Sequence, residues 1–186
     1  MPPLRFVLVV LAAILAGLAA AAAAVVLVGG DDGRTAEPGD TAPTEAAGGP
    51  LVRLSGVEVA SGETIGLGRF GDKPIVVTVW ASWCTACPRQ AEALRRFAAS
   101  HAEAGFLAVD TQEDAEAARA FLTANGLSLT TIADTDGRLA AKLGVRELPT
   151  TLFLTSEHRV VGTWEGPVGL GPLRRGLALA KAGSTL

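Results

Sequence analysis

Apart from Cys84 and Cys87 the 186-residue chain has no cysteine; it holds two histidines and one methionine. Its basic residues form no cluster. Each scarcity excludes a class of function. A structural zinc site takes four ligands, and His101 and His158 lack the x3–5 spacing of a zinc finger. A c-type haem attachment needs histidine directly after the second cysteine, and Pro88 stands there. Residues 51–186 carry 14 basic and 14 acidic side chains. A formally neutral region of this kind has no electrostatic footprint for nucleic acid.

What is present begins with an apolar run. From Phe6 to Val28 there are 23 apolar or small residues and no charge. As a helix at ~1.5 Å per residue they reach ~34 Å, against a hydrocarbon core of ~30 Å. Segment 6–28 is therefore expected to be a transmembrane signal anchor, or a signal peptide cleaved at one of the small-residue sites within Ala19–Ala24. No cysteine follows it to carry a lipid. Arg5 on one side and Asp31 and Asp32 on the other place residues 1–5 in the cytoplasm and the rest outside. Residues 29–50, GGDDGRTAEPGDTAPTEAAGGP, have the composition of a flexible linker with no regular structure. Residues 51–186 are long enough to bury one sizeable core.

Within that domain, residues 52–67 show two short β-type runs broken at SGE, an opening hairpin. IVVTVW, Ile75–Trp80, is almost continuously apolar and β-branched, as in a central strand buried on both faces. Apolar spacing then predicts a helix from Thr85 to Ala104 with Ala91, Leu94, Phe97 and Ala98 inward, and a strand over 106–109. A helix over 114–125, with Ala117, Phe121 and Leu122 inward, follows. A strand over 129–133, a helix over 136–143, strands over 151–155 and 160–165 and a helix over 170–182 complete the order. This pattern implies an α/β fold, with a mixed central sheet and helices on both faces.

The two thiols stand in WASWCTACPRQ, residues 80–90, where a strand ends and a helix is expected to begin. Unpaired backbone N–H groups and the helix dipole at such a junction favour a thiolate. Cys84, at the exposed start, is the candidate nucleophile; Cys87, further in, is placed to resolve the mixed disulfide. A purely structural bridge closing so short a loop would add only about 2 kcal/mol.

WASWCTAC after IVVTV, with LPTTLFL whose proline lies 62 residues beyond Cys87, resembles the thioredoxin superfamily. The membrane segment, tether, opening hairpin and AVDTQED narrow the resemblance to TlpA/ResA-type extracytoplasmic thiol-disulfide oxidoreductases. The resemblance implies a thioredoxin-like fold and a redox-active Cys84–Cys87 disulfide, with Cys84 as nucleophile and Cys87 as resolving thiol. It also implies a cis bond between Leu148 and Pro149, whose loop, with Thr150, receives an extended partner beside the cysteines and keeps metal from the thiols. Trp80 and Trp83 match aromatic positions flanking the pair, Trp83 being the surface candidate. No cofactor is implied. The partners implied are exported thiol or disulfide proteins such as apocytochrome c, and a CcdA/DsbD-type membrane electron donor.

The chain departs from the family pattern at several positions. Gln90 stands where an acid is common, Glu92 where many relatives have proline, and Thr78 where thioredoxins bury an aspartate. Pro88 disfavours helical geometry at Cys87. Two further functions fit a related fold: a membrane-tethered Cu(I) chaperone using the cysteine pair with His158, and a thiol peroxidase using Arg146 beside Cys84.

Overall fold

A computed structural model describes residues 44–45 and 49–183, all within the compact unit Glu37–Leu186. The segments 1–5 and 6–28, and most of 29–50, lie outside the described residues. Among the described residues no helix is long and apolar enough to cross a membrane.

In chain order the strands are β1 (Thr44–Glu45), β2 (Ser55–Val57), β3 (Thr64–Gly66), β4 (Ile75–Trp80), β5 (Gly105–Thr111), β6 (Thr130–Asp134), β7 (Thr150–Leu154) and β8 (Val160–Glu165). The α-helices are α1 (Ala91–Ser100), α2 (Ala115–Ala124), α3 (Arg138–Lys142) and α4 (Leu170–Gly183). Six strands form one sheet in the order β1-β8-β7-β4-β5-β6, and β2 and β3 form the expected separate hairpin. β4 pairs in parallel with β5, and β5 with β6, whereas β7 runs antiparallel to β4 and β8. The sheet is therefore mixed, and all six residues of the central β4 are buried.

Alternation along the strands divides the core into two faces. Val77, Val79, Leu107, Val109 and Ile132 pack with the hairpin residue Ile65 and with Leu139 and Ala140 of α3. On the opposite face Val76 and Phe153 pack against Leu94 and Phe97 of α1 and Leu173 and Leu177 of α4. Further along that face Trp80 and Ala108 meet Ala118 and Phe121 of α2, together with both cysteines. Right-handed β4–α1–β5 and β5–α2–β6 crossovers that progress in one direction across the sheet place α1 and α2 on the same face.

Three expectations need correction. Thr44–Glu45, inside the predicted structureless linker, pairs with Gly162 and Thr163 of β8; the pairing depends on a distant strand edge, which local composition does not report. In α2 the buried residues are Ala118 and Phe121, with Ala117 only half-buried. The helix expected over 85–104 is α1, confined to Ala91–Ser100.

Candidate active site

The last correction decides how the cysteines are presented. β4 ends at Trp80, and the chain turns twice: Cys84 N–H donates to the Ala81 carbonyl at 3.2 Å and Cys87 N–H to the Cys84 carbonyl at 3.1 Å. A 3-10 turn, Cys87–Gln90, follows with Pro88 in its first positions. Proline has no N–H and restricts the residue before it, so α-helical geometry starts only at Ala91. Cys84 thus precedes α1 by seven residues and the 3-10 turn that runs directly into α1 by three.

Cys84 and Cys87 are joined in a disulfide, with Sγ–Sγ 2.19 Å and Cα–Cα 5.4 Å. Cys84 is 6% exposed and Cys87 1%, so the expected exposed position belongs to Trp83, at 56%. Cys84 nonetheless lines a cavity of about 530 Å³, together with Trp83, Thr85 and Ala86. The other walls are Thr111 and Gln112 after β5, Gly137 with Ala140 and Ala141 of α3, and Val145, Arg146, Glu147 and Leu148 before β7. Cys87 is not part of that lining.

The Leu148–Pro149 peptide is cis. Pro149 is buried, and its carbonyl accepts the Gly166 N–H at 2.8 Å. Thr150 is buried too, its hydroxyl donating to the Glu147 carbonyl at 2.7 Å. Of the candidate residues, Trp83, Cys84, Leu148 and Arg146 therefore meet at the cavity, while Cys87, Pro149 and Thr150 are buried and are not part of its lining. His158 stands in the β7–β8 turn, at the other end of β7 from Pro149. Five residues at ~3.3 Å each separate the two ends of that strand. His101 closes α1: its Nδ1 lies 2.9 Å from the Phe97 carbonyl and its ring stacks on Phe97 at 3.9 Å.

Gln90 has a structural part. It is 2% exposed, donates to the Thr78 hydroxyl at 3.1 Å and accepts the Val168 N–H at 3.3 Å. The two departures from the family pattern, Gln90 and Thr78, are thus each other's partners. Gln112, Gly137 and Glu147 were not anticipated. Gln112 adopts φ 61° and Gly137 φ 72°, and a Cβ on Gly137 would come within 3.0 Å of Gln112 Nε2. The positive φ at this wall favours glycine, while the contact with Gln112 joins residues 25 positions apart and leaves no local signal.

A buried acid was also missed, although AVDTQED spells it out. Asp110, the register partner of Trp80, is fully buried, and neither carboxyl oxygen has a hydrogen-bond partner at bonding geometry. Burial first, then the neighbouring Glu113 and the charges of Asp114 and Asp134, push its pKa from 3.8 up to about 9. Asp110 consequently holds a proton at neutral pH. Glu113 accepts the Ser82 N–H at 2.5 Å, and its other oxygen accepts the Ser82 hydroxyl, which ties the strand exit before Cys84 to this acidic group.

The model of the AhpC/TSA family matches residues 40–163. The chain belongs to the AhpC/TSA family. Among solved structures, this AhpC/TSA chain is similar to that of MTB dsbF in its mixed oxidized and reduced forms. Identity is 30%, the TM-score 0.62, and the match covers 68% of this chain and 94% of that one. Its fold is thioredoxin-like. It is 26% identical over 133 residues to the thiol-disulfide oxidoreductase ResA of Bacillus subtilis, covering 69% of this chain and 73% of ResA. It is 29% identical over 85 residues to the soluble secreted antigen MPT53 of Mycobacterium tuberculosis, covering 46% of this chain. That match spans about half, 49%, of the antigen's length.

Proposed function

We propose that this chain is an extracytoplasmic thiol-disulfide oxidoreductase that exchanges disulfides with exported proteins through Cys84 and Cys87. The observation that carries the proposal is the asymmetry of the pair: Cys84 lines the cavity and Cys87 is sealed behind it. A partner thiolate entering the cavity meets Cys84 Sγ. The Cys84–Cys87 bond breaks, a Cys84–partner bond forms, and Cys87 leaves with the electron pair. In the opposite direction Cys87 attacks Cys84 Sγ of the mixed disulfide and releases the partner thiolate. Trp83 and Leu148 supply apolar walls for an extended partner segment, and Arg146 and Glu147 offer it one charge of each sign.

ResA is named a thiol-disulfide oxidoreductase and MPT53 a secreted protein; the first supports the activity and the second a location outside the cytoplasm. The apolar segment 6–28 would tether the domain there, or be removed as a signal peptide, and a CcdA/DsbD-type membrane protein would supply electrons. Apocytochrome c is one substrate of the proposed class. A Cu(I) chaperone is disfavoured because His158 lies a full strand length from the cysteines. The test is substitution. Cys84→Ala should bring reduction of a protein disulfide such as insulin to the uncatalysed rate. Cys87→Ala should accumulate covalent adducts with exported proteins, cleaved by dithiothreitol. Turnover by the Cys84 variant would overturn the proposal.

A further inference from the structure

The exchange chemistry above leaves Asp110 unused. Ala108 packs in the cluster with Cys84, Cys87 and Trp80; Asp110, two residues along β5, projects from the same face of the sheet. It is the register partner of Trp80, and Thr78, which holds Gln90 behind the cysteines, lies opposite Ala108. A fully buried carboxyl group whose oxygens find no partner at bonding geometry, with another acid, Glu113, beside it, is an exception that calls for a cause. Cys87 presents the complementary need: it is 1% exposed, so a thiolate created there is closed off from bulk solvent.

We propose that Asp110 is the internal proton donor of the cysteine pair, protonating Cys87 when the disulfide opens. The proposal rests on the exchange function assigned above. A thiolate RS⁻ attacks Cys84 Sγ, forming the RS–Cys84 bond as the Cys84–Cys87 bond breaks. Cys87 departs as thiolate and takes the Asp110 proton, leaving a neutral thiol and a carboxylate. Solvent then returns a proton to Asp110 from the side of Glu113, which is half-buried. In the closing direction the same carboxylate accepts the Cys87 proton. Electrons move only between sulfur atoms.

The surroundings keep Asp110 protonated in the oxidised form. Glu113 and Asp114 act on it from the β5–α2 loop and Asp134 from the end of β6. β4 contributes the Trp80 ring and α2 contributes Ala118 and Phe121, none of which titrates. The Asp134 carboxylate is already taken up by the Thr111 hydroxyl and the N–H groups of Leu139 and Ala140, each at 2.9 Å. The acid absent at positions 78 and 90 is thus supplied by the neighbouring strand.

The test is the rate at which dithiothreitol opens the disulfide of the full chain, followed by tryptophan fluorescence from pH 6 to 10 and divided by the thiolate concentration. In the wild type this normalised rate should hold steady and then fall through about pH 9. Asp110→Asn should lower it at pH 7 by at least ~10-fold, the lower end of general-acid effects, and remove the fall. Glu113→Gln should move the fall to lower pH, because it removes a group that keeps the proton on Asp110. This second variant carries the test where the first fails to fold. A normalised rate that stays level through pH 10 in the wild type, or a fall kept unchanged by Asp110→Asn, overturns the proposal. Insulin reduction run in parallel separates the two assignments: loss of protein exchange with the pH profile intact removes the function but leaves the proton donor standing.

Discussion

The same buried acid controls how stability depends on pH. Unfolding hydrates Asp110 and returns it to 3.8, whereas in the folded chain it sits at about 9. Between these values the folded state holds one more proton than the unfolded state, so stability must fall as pH rises. The slope is about 1.4 kcal/mol per pH unit, or about 3 kcal/mol between pH 5 and pH 7. The loss is complete once pH passes the folded value. Glu58, Glu92, Glu103, Asp136 and Glu157 are shifted down instead. Their contributions have the opposite sign, being lost as pH falls below the ordinary carboxylate range, and do not obscure the window from pH 5 to pH 8. Asp110→Asn preserves shape and has no proton to lose. The gap between variant and wild type should therefore widen in the variant's favour by about 3 kcal/mol from pH 5 to pH 7, a large share of a typical stability of 5–15 kcal/mol. Urea denaturation of the oxidised chain, followed by tryptophan fluorescence at pH 5, 6, 7 and 8, measures it. Parallel pH dependences for wild type and variant, or a wild-type stability that rises over this range, would refute the reasoning.

Two further substitutions probe the packing that holds the site. Gly176 of α4 lies against Phe153 so closely that a Cβ would come within 2.3 Å of the ring. Gly176→Ala should cost about 1–3 kcal/mol by overcrowding a filled core, and Phe153→Leu should recover part of the loss in a double-mutant cycle of urea midpoints. Gln90→Glu puts a carboxyl group where an amide now donates to Thr78 in the interior. It should be tolerated near pH 4, where the acid is neutral, and cost about 1–3 kcal/mol at pH 8, read as a pH-dependent shift in thermal midpoint.

The sequence was most legible where one physical pattern acted alone. IVVTVW could only be a strand covered on both faces, and the alternation of such strands with amphipathic helices left few arrangements besides a mixed, covered sheet. The hairpin was legible from its turn residues. The cysteine pair was legible because the sequence holds no other cysteine with which either thiol could pair. Legibility failed where distant segments meet. The cavity beside Cys84 draws on Gln112, Gly137 and Arg146–Leu148, and the burial of Cys84 follows from those walls rather than from its neighbours in sequence. The late start of α1 was foreshadowed by Pro88, yet helical periodicity over the following residues outweighed it. Asp110 was visible in AVDTQED as a letter; that it shares a sheet face with the cluster holding both cysteines emerges only once β5 is set beside β4.

The two ends of the six-stranded sheet are both occupied. At the β8 end, Thr44–Glu45 pairs with β8, Val52 N–H donates to the His158 carbonyl at 2.9 Å, and Val160 N–H donates to the Pro50 carbonyl at 3.2 Å. At the β6 end the hairpin reaches over, with Glu58 bridging Ile132 and Val59 N–H donating to the Thr131 carbonyl at 2.8 Å. Exposed strand edges recruit other chains into cross-molecular sheets. Under the function proposed above, a protein that meets partly unfolded clients would be in constant danger of such recruitment; the flanking peptide and the hairpin would then act as bumpers that leave the cavity, and not the rims of the sheet, for contact with a client.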